Sequence, residues 1–326
     1  MRRRDLNSLI GIAAATWLVA ARAQQRPAKP VIGILSPETP ASRYVEALRV
    51  GLQELGYVDG RNVRYEYRWA EGNFERLPDL AFELVRLKVD VIVAFVTAAS
   101  LAAREATATI PIVMAFVSDP VGVGLITSLA HPGGNVTGTA GVTAVLFAKQ
   151  LELLKEIAPN AKRFAVLSNP ANVVFQTQRV KEITAAARTL GVDLQLLEAR
   201  TPNEFKAVFA AIDREKTRAL LILGDPLFST GTKELAILSI KSNLAAMYAD
   251  RAFVDAGGLM AYGPDNYDMS KHTAVYVDKI LKGAKPADLP VEQPNKFTFV
   301  LNLKTAKALD IKISDNVLSL ADEVIE

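Results

Sequence analysis

The chain has no cysteine. That excludes disulfides, thiolate metal sites, a cysteine nucleophile and a lipid-modified cysteine behind an export signal. Histidine is nearly as scarce. Only His131 and His272 occur, without the close spacing of zinc ligands, so no metal site is expected. A surplus of one charge is also missing. Residues 1–23 hold four of the 38 basic and one of the 35 acidic side chains, which leaves 34 of each beyond them. A nucleic-acid partner needs a basic face, so none is expected. The one marked apolar run, Leu9–Ala21, falls short of the about 20 residues that span a bilayer.

That run has the flanks of an address. Arg2, Arg3 and Arg4 precede it, and the A-x-A pattern Ala21-Arg22-Ala23 follows, then Gln24 and Gln25. This order predicts a cleavable signal peptide over residues 1–23 and a mature chain starting near Gln24. Arg3-Arg4-Asp5-Leu6 leaves twin-arginine export open beside the general route. An exported chain without a lipid anchor needs an outer barrier to be retained, so a Gram-negative periplasm is expected.

Enzyme signatures are absent too. There is no G-x-S-x-G elbow. Gly231-Thr232-Lys233 resembles the end of a phosphate loop, but Gly224 does not stand at the required distance. Gly122-Val123-Gly124 is a lone G-x-G after Asp119-Pro120. Asp119 and Asp225 are conceivable as a carboxylate pair, although nothing marks either as the acid. No catalytic residue and no cofactor are expected.

What the sequence does contain is an alternation of short apolar runs with helical stripes. Val31–Leu35 is a continuous apolar run closed by Ser36-Pro37, as suits a strand covered on both faces. Tyr44, Val45, Leu48, Leu52 and Leu55 then fall on one helical stripe that stops at Gly56. Strands over 63–69, 89–96 and 110–117 and helices over 74–87 and 98–106 continue a βαβ series with right-handed crossovers. A second series follows: helix 147–157, strand 164–167, helix 175–190, strand 194–197, helix 204–212, and strands at 219–223, 245–248 and 258–261. Strand 297–301, helix 304–309 and an amphipathic tail over 318–326 close the chain. The fold class expected is α/β, with two doubly wound parallel-sheet lobes. The glycine- and threonine-rich stretch His131–Gly141 is a candidate hinge.

Several segments resemble the ABC-transporter substrate-binding protein family, whose members include binders of tryptophan and other aromatic amino acids. They are Val31–Ser36, Val117–Gly122, His131–Gly138, Gly257–Gly263, Tyr276–Gly283 and Ala321–Glu326. The resemblance implies the type I periplasmic binding fold, with three crossings between lobes near Gly141, Tyr262 and Pro290. Residues 28–140 plus 262–290 then form one lobe, and 141–261 plus 291–326 the other. It further implies a monomer that presents a small-molecule ligand to an ABC permease in the inner membrane. A ligand-sensor subunit of the same fold and an exported enzyme are the alternatives.

Ligands of open parallel sheets bind beyond the carboxyl ends of the strands. Here those ends carry Ser36, then Thr97 with Ala98 and Ala99, Ser118 with Asp119, Asn169, and Asp225. Small residues there let backbone amides approach a ligand carboxylate, and a following helix N-terminus favours its charge. Asp119 and Asp225 are each candidates for pairing a ligand ammonium group. Helix capping explains any single one of these residues equally well. Tyr248, Tyr262 and Phe228 are candidate pocket walls or core. With no Arg or Lys at a strand end, the ligand expected is a zwitterionic amino acid with an apolar or aromatic side chain rather than a phosphate or dicarboxylate.

Overall fold

The computed structural model describes residues 29–141 and 145–326, so the signal expected over residues 1–23 lies outside the described residues. Among those described, no helix is long and apolar enough to cross a membrane.

The first sheet contains β1 (Val31–Ser36), β2 (Arg64–Trp69), β3 (Val91–Phe95), β4 (Ile112–Val117) and β5 (Val136–Ala140) in the order β2-β1-β3-β4-β5. Every pairing is parallel. Continuous apolar runs build the central strands because helices cover both faces. On one face Ile32, Ile34, Val91 and Val93 pack against Val45 and Leu48 of α1 (Arg43–Glu54) and against Ala274 and Val277 of a late helix. On the other, Leu35 and Ile92 meet Leu80 and Leu84 of α2 (Leu77–Arg86) and Ala99 and Ala103 of α3 (Val96–Ala106). The Ser42 hydroxyl caps α1 by accepting from the Val45 amide at 3.3 Å.

The second lobe begins with α4 (Val145–Ile157). Its sheet contains β6 (Arg163–Ser168), β7 (Asp193–Glu198), β8 (Ala219–Ile222), β9 (Ala245–Tyr248), β10 (Met260–Pro264), β11 (Phe297–Asn302) and β12 (Glu323–Ile325). The order is β12-β11-β10-β9-β8-β6-β7. Counted from β6, its first five strands repeat the order of the first sheet. Helix α5 (Val173–Leu190) and α4 cover one face through Ile183, Ala187, Leu151 and Leu154. Helices α6 (Phe205–Arg214), α7 (Pro226–Thr230) and α8 (Thr232–Lys241) cover the other.

Four details depart from the sequence expectations. The pair β10–β11 is antiparallel within an otherwise parallel sheet. After α9 (Ala252–Asp255), β10 keeps Tyr262 in the second sheet, and the chain returns to the first lobe only beyond Pro264, as α10 (Asn266–Leu281). It leaves the first lobe for the last time beyond Glu292, whose backbone is bonded to Gly138 and Ala140 of β5. Following α11 (Leu303–Ala308), the tail is not one amphipathic segment: α12 (Asp315–Leu320) is followed by the edge strand β12, paired with β11.

Candidate ligand-binding cleft

In the order 2-1-3-4-5, the first and third strands send their chains to opposite faces, and a crevice opens beyond their carboxyl ends. Each lobe has such a crevice, beyond β1 and β3 in one and beyond β6 and β8 in the other. The two face each other across a cleft of about 1040 Å³, its open mouth included. The first lobe contributes Glu38, Tyr44, Phe95, Thr97, Phe116 and Ser118; the second contributes Phe147, Asn172, Arg179, Asp225, Asp250 and Phe253.

Two backbone outliers shape the first wall. Val96 and Phe116, which both line the cleft, have φ of 61°. A β-branched or bulky residue is strained in the left-handed region, and such strain persists only where packing imposes it. Here it turns the chain sharply at the ends of β3 and β4. The Thr97 hydroxyl accepts from the Ser118 amide at 3.3 Å and ties these turns together.

The second wall is electrostatic. Asp225 is buried, and its carboxylate accepts from Asn169 Nδ2 and Asn172 Nδ2, both at 2.9 Å, and from the Leu227 amide at 3.0 Å. Burial raises its pKa, while these donors and Arg179 oppose the rise. Arg179 reaches in from α5, donates to the Gly224 carbonyl at 2.7 Å and sits 5.1 Å over the Phe147 ring. Desolvation lowers its pKa to about 9, so the guanidinium remains charged at neutral pH. Asp250 accepts from the Ala252 amide at 2.8 Å, from Asn266 at 3.2 Å and, across the cleft, from the Tyr44 hydroxyl at 2.7 Å. Arg43 lies 3.6 Å from the same carboxylate. Glu38 is 8% exposed, and burial pushes its pKa up to about 7, against a hydrogen bond from Ser42. The cleft therefore holds one inner cation, three carboxylates and an aromatic lining. Among the described residues no group of three His, Cys, Asp or Glu could hold a metal ion.

The family model for "ABC transporter substrate binding protein" matches residues 31–325. The chain belongs to that family. A tyrosine-binding protein of Clostridioides difficile is 29% identical over 268 residues, 82% of this chain and 76% of the relative. An ABC domain in complex with L-Trp from Streptococcus pneumonia superposes with a TM-score of 0.80 at 29% identity, covering 91% of this chain and all of that one. The ligand-free, open structure of a substrate binding protein with adhesive properties from Clostridium difficile gives 0.62 at 27% identity, covering 91% and 99%. In this family member the Tyr44–Asp250 bond joins the two lobes across the cleft.

The strand-end residues separate into three groups. Thr97, Ser118 and Asp225 line the cleft. Ser36 and Asn169 lie one layer behind it. The Ser36 hydroxyl accepts from the Glu38 amide at 3.1 Å, and Asn169 braces Asp225. The rest are turned elsewhere. Ala98 and Ala99 pack into the core between α3 and the sheet. Exposed Asp119 closes its own turn by accepting from the Gly122 amide at 2.8 Å. Tyr248 is fully buried and stacks on Phe253 at 4.6 Å. Tyr262 stacks on Phe297 at 6.0 Å, and Phe228 is buried beside Phe205. Tyr248, the last residue of β9, turns into the core on one face of the sheet, and Tyr262, in the middle of β10, packs half-buried on the other.

Strand-end reasoning missed Glu38, Tyr44, Arg179 and Asp250. Arg179 carried a signal: it stands four and eight residues before Ile183 and Ala187, in register with the buried stripe of its helix. A charge in that register must be paired or aimed into a cavity. Glu38 and Asp250 lie two residues past the ends of β1 and β9, in short connections with no periodicity to read.

Proposed function

We propose that this chain is the exported solute-binding component of an ABC importer and that its cleft closes on a zwitterionic amino acid with an aromatic side chain. The observation that carries this reading is the polarity of the cleft. Arg179 is placed to take a carboxylate, Glu38 and Asp250 to take an ammonium, and Phe95, Phe116, Phe147 and Phe253 line the same space. A bidentate guanidinium–carboxylate contact is strong and geometrically selective. Aromatic walls favour a flat apolar side chain by burial and ring stacking. The ligands named for the tyrosine-binding relative and the L-Trp complex have this chemistry. The signal pattern over residues 1–23 supports export, and export together with the family supports a periplasmic site of action and a permease partner.

Calorimetric titration with the twenty amino acids and with simple sugars such as glucose tests the ligand class. Tyrosine, tryptophan or phenylalanine is expected to bind most tightly, with aspartate, lysine and glucose silent. Binding confined to sugars or to dicarboxylates overturns the assignment.

A further inference from the structure

The three carboxylates of the cleft are not equivalent. Asp225 accepts three hydrogen bonds and faces Arg179. Asp250 accepts three and lies beside Arg43. With the lobes together, both are fully engaged without any ligand group. Glu38 is buried, as Asp225 is, yet among the described residues the Ser42 hydroxyl is the one side-chain group that hydrogen-bonds its carboxyl. Its backbone N–H donates to the Ser36 hydroxyl at 3.1 Å, which fixes where the side chain leaves the main chain at the cleft wall.

We infer that Glu38 is the residue that reads the ligand's ammonium group, and that its unpaired charge holds the empty protein open. The inference rests on the amino-acid reading of the cleft and adds to it which carboxylate discriminates. A buried carboxylate without a counter-charge is costly. The groups facing Glu38 worsen this: Asp225 and Asp250 approach from the second lobe, Tyr44 lies beside it, Arg43 lies against Asp250, and the Arg179 guanidinium is turned to the Gly224 carbonyl. Closing the lobes on nothing therefore strands a charge or binds a proton. Closing them on a ligand ammonium supplies the missing cation. The same charge rejects a desamino acid, which brings a carboxylate and no ammonium.

The sign of the pH effect follows. In the closed empty form the Glu38 carboxyl titrates near 7, above its ordinary value of 4.5. That form holds the extra proton, so lowering the pH from 8 to 6 favours empty closure.

Two measurements test the inference separately. In the first, phenylalanine and 3-phenylpropionate are titrated into the wild type and Glu38→Gln. The variant is expected to bind phenylalanine at least about tenfold more weakly and 3-phenylpropionate no more weakly than the wild type. Unchanged discrimination overturns the inference, whereas wild type that binds no amino acid at all defeats the ligand reading instead. The second needs no ligand. By small-angle scattering, the empty wild type is expected to shrink between pH 8 and pH 6, and Glu38→Gln to be compact at both. An empty wild type of constant radius overturns the gating role whether or not the variant folds.

Discussion

Removing the Asp225 carboxylate strands three donors at once, the amides of Asn169 and Asn172 and the backbone N–H of Leu227. The last is also the capping bond of α7. Asp225→Ala is therefore expected to cost about 2–4 kcal/mol of folding stability in urea unfolding. A cost below about 0.5 kcal/mol places those donors on other acceptors and removes Asp225 from the frame of the site. Arg179→Met keeps much of the aliphatic volume against Phe147 and deletes the cation. It is expected to weaken aromatic amino-acid binding on the order of 30-fold or more, read by calorimetry. Equal affinity would show that the ligand carboxylate is held by amides alone. At this scale the sequence was only partly legible. Thr97, Ser118 and Asp225 follow strands, where α/β topology puts ligands, and the same rule drew in Ala99, which is core, and Asp119, which serves its own turn. Arg179 comes from a helix interior, and its meaning depends on β8 lying beneath it, a long-range fact that no local window contains.

At the scale of elements, the tightest helix pairing joins α1 to α10, two segments more than 200 residues apart in sequence. Gly51 makes it possible: a Cβ there would stand 2.4 Å from the Lys271 carbonyl oxygen. The Ser270 hydroxyl completes the seam by donating to the Tyr44 carbonyl at 2.5 Å. Gly51→Ala must push backbone apart, so a loss of about 1–3 kcal/mol is expected, with faster amide exchange along α10. Unchanged exchange would mean that α10 is held by the sheet and not by α1. This seam also carries the return of the chain from the second lobe, so loosening it is expected to weaken ligand binding although Gly51 touches no ligand. The strands were legible as elements because apolar runs such as Val31–Leu35 and Val91–Phe95 have both faces covered. The edge strand β12 was not, because Glu323–Ile325 is half-exposed and its three residues carry no period. Nor was the antiparallel β11, since a single strand does not reveal the direction of its neighbour.

At the scale of the molecule, two sheets with the same strand order place their switch points face to face, and the chain returns to the first lobe beyond Pro264 and leaves it again beyond Glu292. The doubly wound lobes follow from the repeated strand–helix alternation. The opposition of the lobes does not, because it is set by contacts such as Tyr44–Asp250 between residues 206 apart. Hinge closure around a ligand is the motion such a frame allows. Saturating tyrosine or tryptophan at pH 8 is expected to reduce the radius of gyration of the wild type, with a smaller change at pH 6, where part of the empty population is already closed. A larger change at pH 6 would reverse the sign assigned to Glu38.

The most direct test of the cleft's polarity is a crystal structure with L-tryptophan or L-tyrosine bound. The ligand carboxylate is expected within about 3 Å of the Arg179 guanidinium, its ammonium against the Glu38 carboxylate, and its ring among Phe95, Phe116 and Phe147. A ligand held the other way round, with its ring at Arg179 and its carboxylate turned to Glu38, would contradict the account.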